Sequence, residues 1–173
     1  TGALRIVATS GTVVATAAET KEPSGVWMQR HARIRAVDEQ VPAFHPASII
    51  HLTENVDRRT DIGVANTSGL TIDVAVELRD AAGAVLGRRI AQLLPFSHQE
   101  LGGIFSSVGH PEVADGLARV TTTTPGGSFF AYAVVTDLGT RDSWEMPAEL
   151  MAADLFADGF ETGDPSRWAT SAP

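Results

Sequence analysis

The sharpest pattern in the chain is a strict alternation over residues 72–79. Ile72, Val74, Val76 and Leu78 share one side, and Asp73, Glu77 and Arg79 share the other. Period two over this length predicts a half-buried β-strand, because successive side chains on extended backbone point to opposite faces. Asp80-Ala81-Ala82-Gly83 then reads as a turn and residues 85–94 as the return strand of a hairpin. Pro95 ends that strand, since proline cannot donate to a ladder. Further strands are predicted over residues 49–52, 60–65, 118–123 and 129–136, with Asn66-Thr67-Ser68-Gly69 and Pro125-Gly126-Gly127 as turns. Residues 99–105 fit either a short strand or one helical turn before Gly109. Many short strands with regular turns and little helical periodicity predict an all-β fold, an antiparallel β-sandwich of Ig-like kind.

The beginning of the chain echoes its end. Gly2-Ala3-Leu4-Arg5-Ile6-Val7-Ala8-Thr9-Ser10 parallels Gly116-Leu117-Ala118-Arg119-Val120-Thr121-Thr122-Thr123-Thr124. In both places a glycine turn and an apolar strand follow, residues 12–18 in the first copy and 128–135 in the second. A repeat that starts midway implies a chain that opens inside one structural unit and runs through another. The expected division is therefore the C-terminal part of a first β repeat over residues 1–36, a connector over 37–48 with Pro42 and Pro46, a complete sandwich over 49–150, and an acidic aromatic tail over 151–173. Residues 4–9 and 12–18 read as strands of the first part, with 26–34 as a further candidate. So few strands are marginal alone in water, so they are expected to pair with the main sandwich, with another copy, or with a missing piece of the first repeat.

Composition narrows the classes. The 173 residues, 43% hydrophobic and 20% charged, suit a globular chain with one good core. No apolar run is long enough to span a membrane. The first residue is Thr1 and no signal-peptide pattern precedes it, as expected of a processed or excised piece. With no cysteine there is no disulfide, thiolate metal site or thiol nucleophile. The net charge of -8 argues against nucleic acid as a partner, which needs cations to neutralise phosphates. The charge is uneven: Arg5, Lys21, Arg30, Arg33 and Arg35 face only Glu19 and Glu22 over residues 1–36. The final stretch carries Glu149, Asp154, Asp158, Glu161 and Asp164 against Arg167. A mildly basic head and an acidic tail are expected to attract one another in neighbouring molecules.

Catalytic signatures are sparse. His31, His45, His51, His98 and His110 form no HxH or HExxH spacing, whereas a catalytic zinc site gathers three protein ligands. No G-x-S-x-G elbow occurs, and the phosphate-loop and dinucleotide fingerprints are absent. Glu100, Glu112, Asp115, Asp137 and Glu145 are the carboxylates from which a glycosidase pair would have to be drawn, yet acidic residues at turns and strand ends are ordinarily solvated. No cofactor is called for. Asp158, Glu161 and Asp164, spaced by glycines, are the metal candidate, and oxygen-only ligands of this kind suit Ca²⁺. Phe156, Phe160 and Trp168 are the interaction candidates, because three large aromatics in a polar tail imply a surface on which they dock. Trp27 and Trp144 follow the echoed strands and read as core residues of the repeat.

Several stretches resemble a tandem β-sandwich (Ig-like) repeat module of secreted bacterial proteins. They are Arg59-Thr60-Asp61-Ile62-Gly63-Val64-Ala65-Asn66, Asp80-Ala81-Ala82-Gly83, Gly116-Leu117-Ala118-Arg119-Val120, Ala131-Tyr132-Ala133-Val134-Val135 and Met146-Pro147-Ala148. The likeness covers about residues 49–148 and rests on turns and core strands, so it implies a scaffold and export. Separately, Leu155-Phe156-Ala157-Asp158-Gly159-Phe160-Glu161-Thr162-Gly163-Asp164-Pro165-Ser166-Arg167-Trp168 is similar to C-terminal segments of exported proteobacterial proteins. It is also similar to the first strand of jelly-roll carbohydrate-binding domains.

Together these readings lead to a non-catalytic structural or interaction module, extracellular or on the cell surface. Its expected partners are proteins, by self-association or through other domains of its parent chain, with polysaccharide as a further candidate ligand. The first alternative is a subunit of an extracellular filament assembled by strand pairing between chains. The second is a carbohydrate-binding accessory domain of a secreted hydrolase, which requires an exposed aromatic platform or a cleft of convergent polar groups.

Overall fold

A computed structural model describes residues 40–150, and these build two packed antiparallel sheets. The strands are β1 (Val41–Pro42), β2 (Ala47–Glu54), β3 (Arg58–Asn66), β4 (Ile72–Asp80), β5 (Val85–Leu93), β6 (His98–Leu101), β7 (Val113–Thr122), β8 (Ser128–Asp137), β9 (Ser143–Pro147) and β10 (Glu149–Leu150). The first sheet runs β1-β8-β3-β6, with β9 also on β8; the second runs β10-β2-β7-β4-β5. The all-β sandwich expected from the alternation is the fold of these residues. β1 and the first two residues of β2 lie inside the stretch read as a connector: Val41 and Pro42 pair with Phe129 and Ser128, and Ala47 and Ser48 pair with Val120 and Arg119. The short loop from residue 43 to 46 thus carries the chain from one sheet to the other. Ala148 alone does the same between β9 and β10. The first-repeat, tail and metal-candidate residues lie outside the described residues.

The alternation works as predicted in β4, where Ile72, Val74, Val76 and Leu78 are fully buried. Opposite them, the first sheet contributes Ile62, Val64, Leu101, Phe129, Ala131, Ala133 and Val135 to one core cluster. Each Val, Ile or Leu so buried contributes about 1.5–3 kcal/mol of apolar transfer free energy. In β2 the period breaks once. Ile50 and His51 both face outward between buried Ile49 and Leu52, His51 has φ +60°, and the register with β7 shifts there. A bulge of this kind resets the alternation so that apolar positions on both sides of it still reach the core.

The turns are fixed by side chains. The Asp80 carboxylate accepts hydrogen bonds from the Ala82 and Ala84 amides at 2.9 and 2.8 Å, and Gly83 takes φ +82°. Of the two forms expected for residues 99–105, the strand is the one found there, and a helical turn follows just beyond the stretch. β6 ends at Leu101, and a 3-10 turn over Ser106–Val108 closes on Gly109 in the left-handed conformation.

Candidate functional site

The outward face of the first sheet carries a run of aromatic side chains. On β8 the inward positions are Phe129, Ala131, Ala133 and Val135, so Phe130, Tyr132 and Val134 face away from the core. Tyr132 pairs with Gly63 on β3, and Gly63 in turn pairs with Glu100 on β6. A β-carbon placed on Gly63 would lie 2.3–2.6 Å from the Tyr132 ring and hydroxyl, so the ring lies flat across the glycine. A glycine inside a strand marks such a close approach. By crossing β3 the phenol reaches β6, where its hydroxyl is hydrogen-bonded to His98 Nε2 at 3.0 Å. The two rings are nearly parallel, 12° apart with centroids at 5.9 Å, and Phe130 meets Tyr132 tilted by 31° at 6.1 Å. Phe130, Tyr132 and His98 therefore form one stripe over β8, β3 and β6.

Carboxylates flank this stripe. Glu100 stands beside Gly63 on β6, and Glu145 beside Val134 on β9. Burial foremost, then the negative charges of Glu100 and Glu145, push the Tyr132 phenol up to about 12. At neutral pH the phenol keeps its proton. A phenol held this high is a packing and hydrogen-bonding group and a poor general base. The stripe can therefore bind apolar or cationic groups through the ring faces and the flanking carboxylates.

The remaining buried polar groups hold loops. Glu54, 3% exposed, accepts from the Ser106 amide at 2.8 Å and the Phe105 amide at 3.2 Å, and closely from the Ser106 hydroxyl. Asp61 Oδ1 accepts from the Gly103 amide at 2.8 Å, and its Oδ2 accepts from Arg59 Nη2 at 2.6 Å. That contact, through its hydrogen bond first and its charge second, raises the Arg59 pKa further. Asn66 Nδ2 donates to the carbonyls of Leu70, Leu94 and Leu93, tying the β3–β4 loop to the end of β5.

Of the carboxylates considered for acid–base work, Glu100 and Glu145 flank the stripe from different strands, and Asp137 and Asp115 stand apart from it. Asp137 accepts from the Gly139 and Thr140 amides at the β8–β9 turn, and the Thr140 amide chiefly holds its pKa down. Asp115 lies 3.4 Å from His51 Nδ1 on the exposed side of the second sheet. Among the described residues, no three His, Asp or Glu side chains gather as a metal site. Trp144, read from the sequence as a core residue, is instead exposed at a sheet edge, with the Arg58 guanidinium 5.5 Å over its ring. The candidates Asp158, Glu161, Asp164, Phe156, Phe160 and Trp168, with His31 and Trp27, lie outside the described residues.

The aromatic stripe was not among the sequence expectations. Its signal was present in the outward period of Phe130 and Tyr132, and in a glycine interrupting the strand that follows Asp61. No helix of the described residues is long and apolar enough to cross a membrane. No protein-family model matches the chain, and no curated protein does. Among solved structures, the crystal structure of Thermotoga maritima 1070 is similar at 11% identity, with a TM-score of 0.47, over 64% of this chain and 94% of that one.

Proposed function

We propose that the sandwich serves as a non-catalytic structural or interaction module, and that its parent is a secreted or cell-surface bacterial protein. The observation that carries the reading is the use made of Glu54 and Asp61. Both Glu54 oxygens and Asp61 Oδ1 accept from backbone amides of the loop between β6 and β7, and Asp61 Oδ2 is held by Arg59, which is scaffold work. The placement outside the cell rests on the likeness of the turn and strand motifs to exported repeat modules.

Glu54→Gln and Asp61→Asn test it by thermal unfolding. A carboxylate reserved for chemistry sits at a cost to stability, so its amide variant is neutral or stabilising. A carboxylate that caps amides loses an acceptor and gains a misplaced donor. Each variant is expected to lose about 1–2 kcal/mol, several degrees in Tm. Unchanged or raised Tm values in both would remove the support.

The edge strands favour a second reading, a filament subunit. β5 closes one side of its sheet with nine residues, and its pairing within the described residues is to β4 alone. An open edge templates strand addition, and head-to-tail addition propagates. Light scattering at several concentrations separates the readings: a constant monomer mass favours the module, and open-ended growth favours the filament.

A further inference from the structure

We infer that residues 23–37 pack across the Phe130–Tyr132–His98 stripe, with Arg33 and Arg35 meeting Glu100 and Glu145. The inference holds whichever role the module serves.

Connectivity delivers this segment to this face. Gln40 leads directly into β1, whose Val41 is paired with Phe129, one residue from Phe130. The Gln40 side chain accepts a hydrogen bond from the Thr67 hydroxyl at 3.3 Å, which fixes the point of entry beside the first sheet. The other end of the described chain leaves from β10, which belongs to the second sheet. The two terminal segments therefore depart from different layers.

Reach is sufficient. From β1 to β6 there are three inter-strand steps, about 14 Å at the usual spacing. Six residues of extended chain separate Arg35 from Val41, a span of about 20 Å. Arg35 can thus reach the far edge of the sheet, and Glu145, paired with Val134 five residues along β8 from Phe129, lies about 17 Å from the entry, within the same span.

Charge selects the same segment. Residues 23–37 contain Arg30, Arg33 and Arg35 and no carboxylate, whereas residues 151–173 contain Asp154, Asp158, Glu161 and Asp164 against Arg167. A stripe bordered by Glu100 and Glu145 attracts the first and repels the second. In extended backbone Trp27, His31, Arg33 and Arg35 share one side, an aromatic-and-cation pattern that suits ring faces bordered by carboxylates. Phe130 adds a mark of coverage. It faces away from the core beside the small Ala65, and yet its residue is only 5% exposed.

Cross-linking in the full chain tests the inference, helped by the absence of native cysteine. Arg35→Cys combined with Glu100→Cys is expected to form an intramolecular disulfide under mild oxidation. It should form about tenfold faster than Arg35→Cys with Arg119→Cys on the second sheet, because docking raises the effective concentration. Equal rates for the two pairs would overturn the inference. So would disulfide-linked dimers, which would make the face an interface between copies. Faster closure of Asp158→Cys onto Glu100→Cys would give the face to the tail instead. A charge exchange supplies a check without thiols: Arg33→Glu with Arg35→Glu should lower Tm, and adding Glu100→Lys with Glu145→Lys should restore most of the loss. Absence of restoration would count against the pairing.

Discussion

Gly63 and Tyr132 stand directly opposite one another on β3 and β8, and the tyrosine ring fills the space that a side chain at position 63 would need. The pair lets a ring from one strand lie across its neighbour and hydrogen-bond to a third strand through His98. Gly63→Ala forces the ring aside and breaks that contact. The expected cost is about 1–3 kcal/mol, the usual range for overpacking plus a lost hydrogen bond. Chemical denaturation measures it. With Tyr132→Ala already in place, the same substitution should cost far less, since contacting residues are non-additive.

Tyr132 is the single tyrosine of the chain, so its titration can be read directly from phenolate absorbance. The midpoint is expected near 12 in the folded protein, against about 10 for an unperturbed phenol. The folded state then holds its proton more tightly than the unfolded state does. Its contribution to stability is complete below about pH 10 and is lost as the pH rises from about 10 to 12. Gly63→Ala should bring the midpoint down towards 10 by exposing the ring. A wild-type midpoint near 10 would mean that the stripe is open to water.

The parts of this fold that were legible in the sequence are those governed by one period or one turn. Ile72 to Leu78 announce β4 because every second residue is fully buried, and Asp80 to Gly83 announce the turn because the aspartate bonds the amides ahead of it. The entry strand was not legible. Val41 and Pro42 lie in a proline-containing stretch, and they join the sheet through a pairing with Phe129 and Ser128 far along the chain. The aromatic stripe was hidden for the same reason: His98, Gly63 and Tyr132 meet only through register. Asn66 read as turn chemistry, and its part in joining two loops depends on where the end of β5 lies.

That junction carries its own expectation. Asn66 is buried, and its amide nitrogen serves three carbonyls, that of Leu70 in the β3–β4 loop and those of Leu93 and Leu94 at the end of β5. Asn66→Ala leaves those acceptors without their donor, at about 2–4 kcal/mol. Asn66→Asp turns a donor into a charge facing carbonyl oxygens, so it should be worse at neutral pH. Acidification protonates the new carboxyl and makes it a donor again, so part of the loss should return as the pH falls. Denaturation curves for both variants at neutral and acidic pH decide the matter. Equal and small losses would mean that water replaces the amide.

The loop after β6 is held at two places by different carboxylates: Asp61 takes the Gly103 amide, and Glu54 takes those of Phe105 and Ser106. Between them Ile104 is fully buried, and Phe105 fills the core alongside it. These apolar anchors should keep the loop seated when one carboxylate is altered, so the consequences stay local. Hydrogen exchange by NMR is the measurement. Glu54→Gln should speed exchange at Phe105 and Ser106 by about tenfold for each 1.4 kcal/mol of opening free energy lost, with Gly103 little changed. Asp61→Asn should reverse the pattern. If either variant accelerates all three amides equally, the loop opens as one unit. The carboxylates would then act together as a single clasp that Ile104 and Phe105 cannot hold alone.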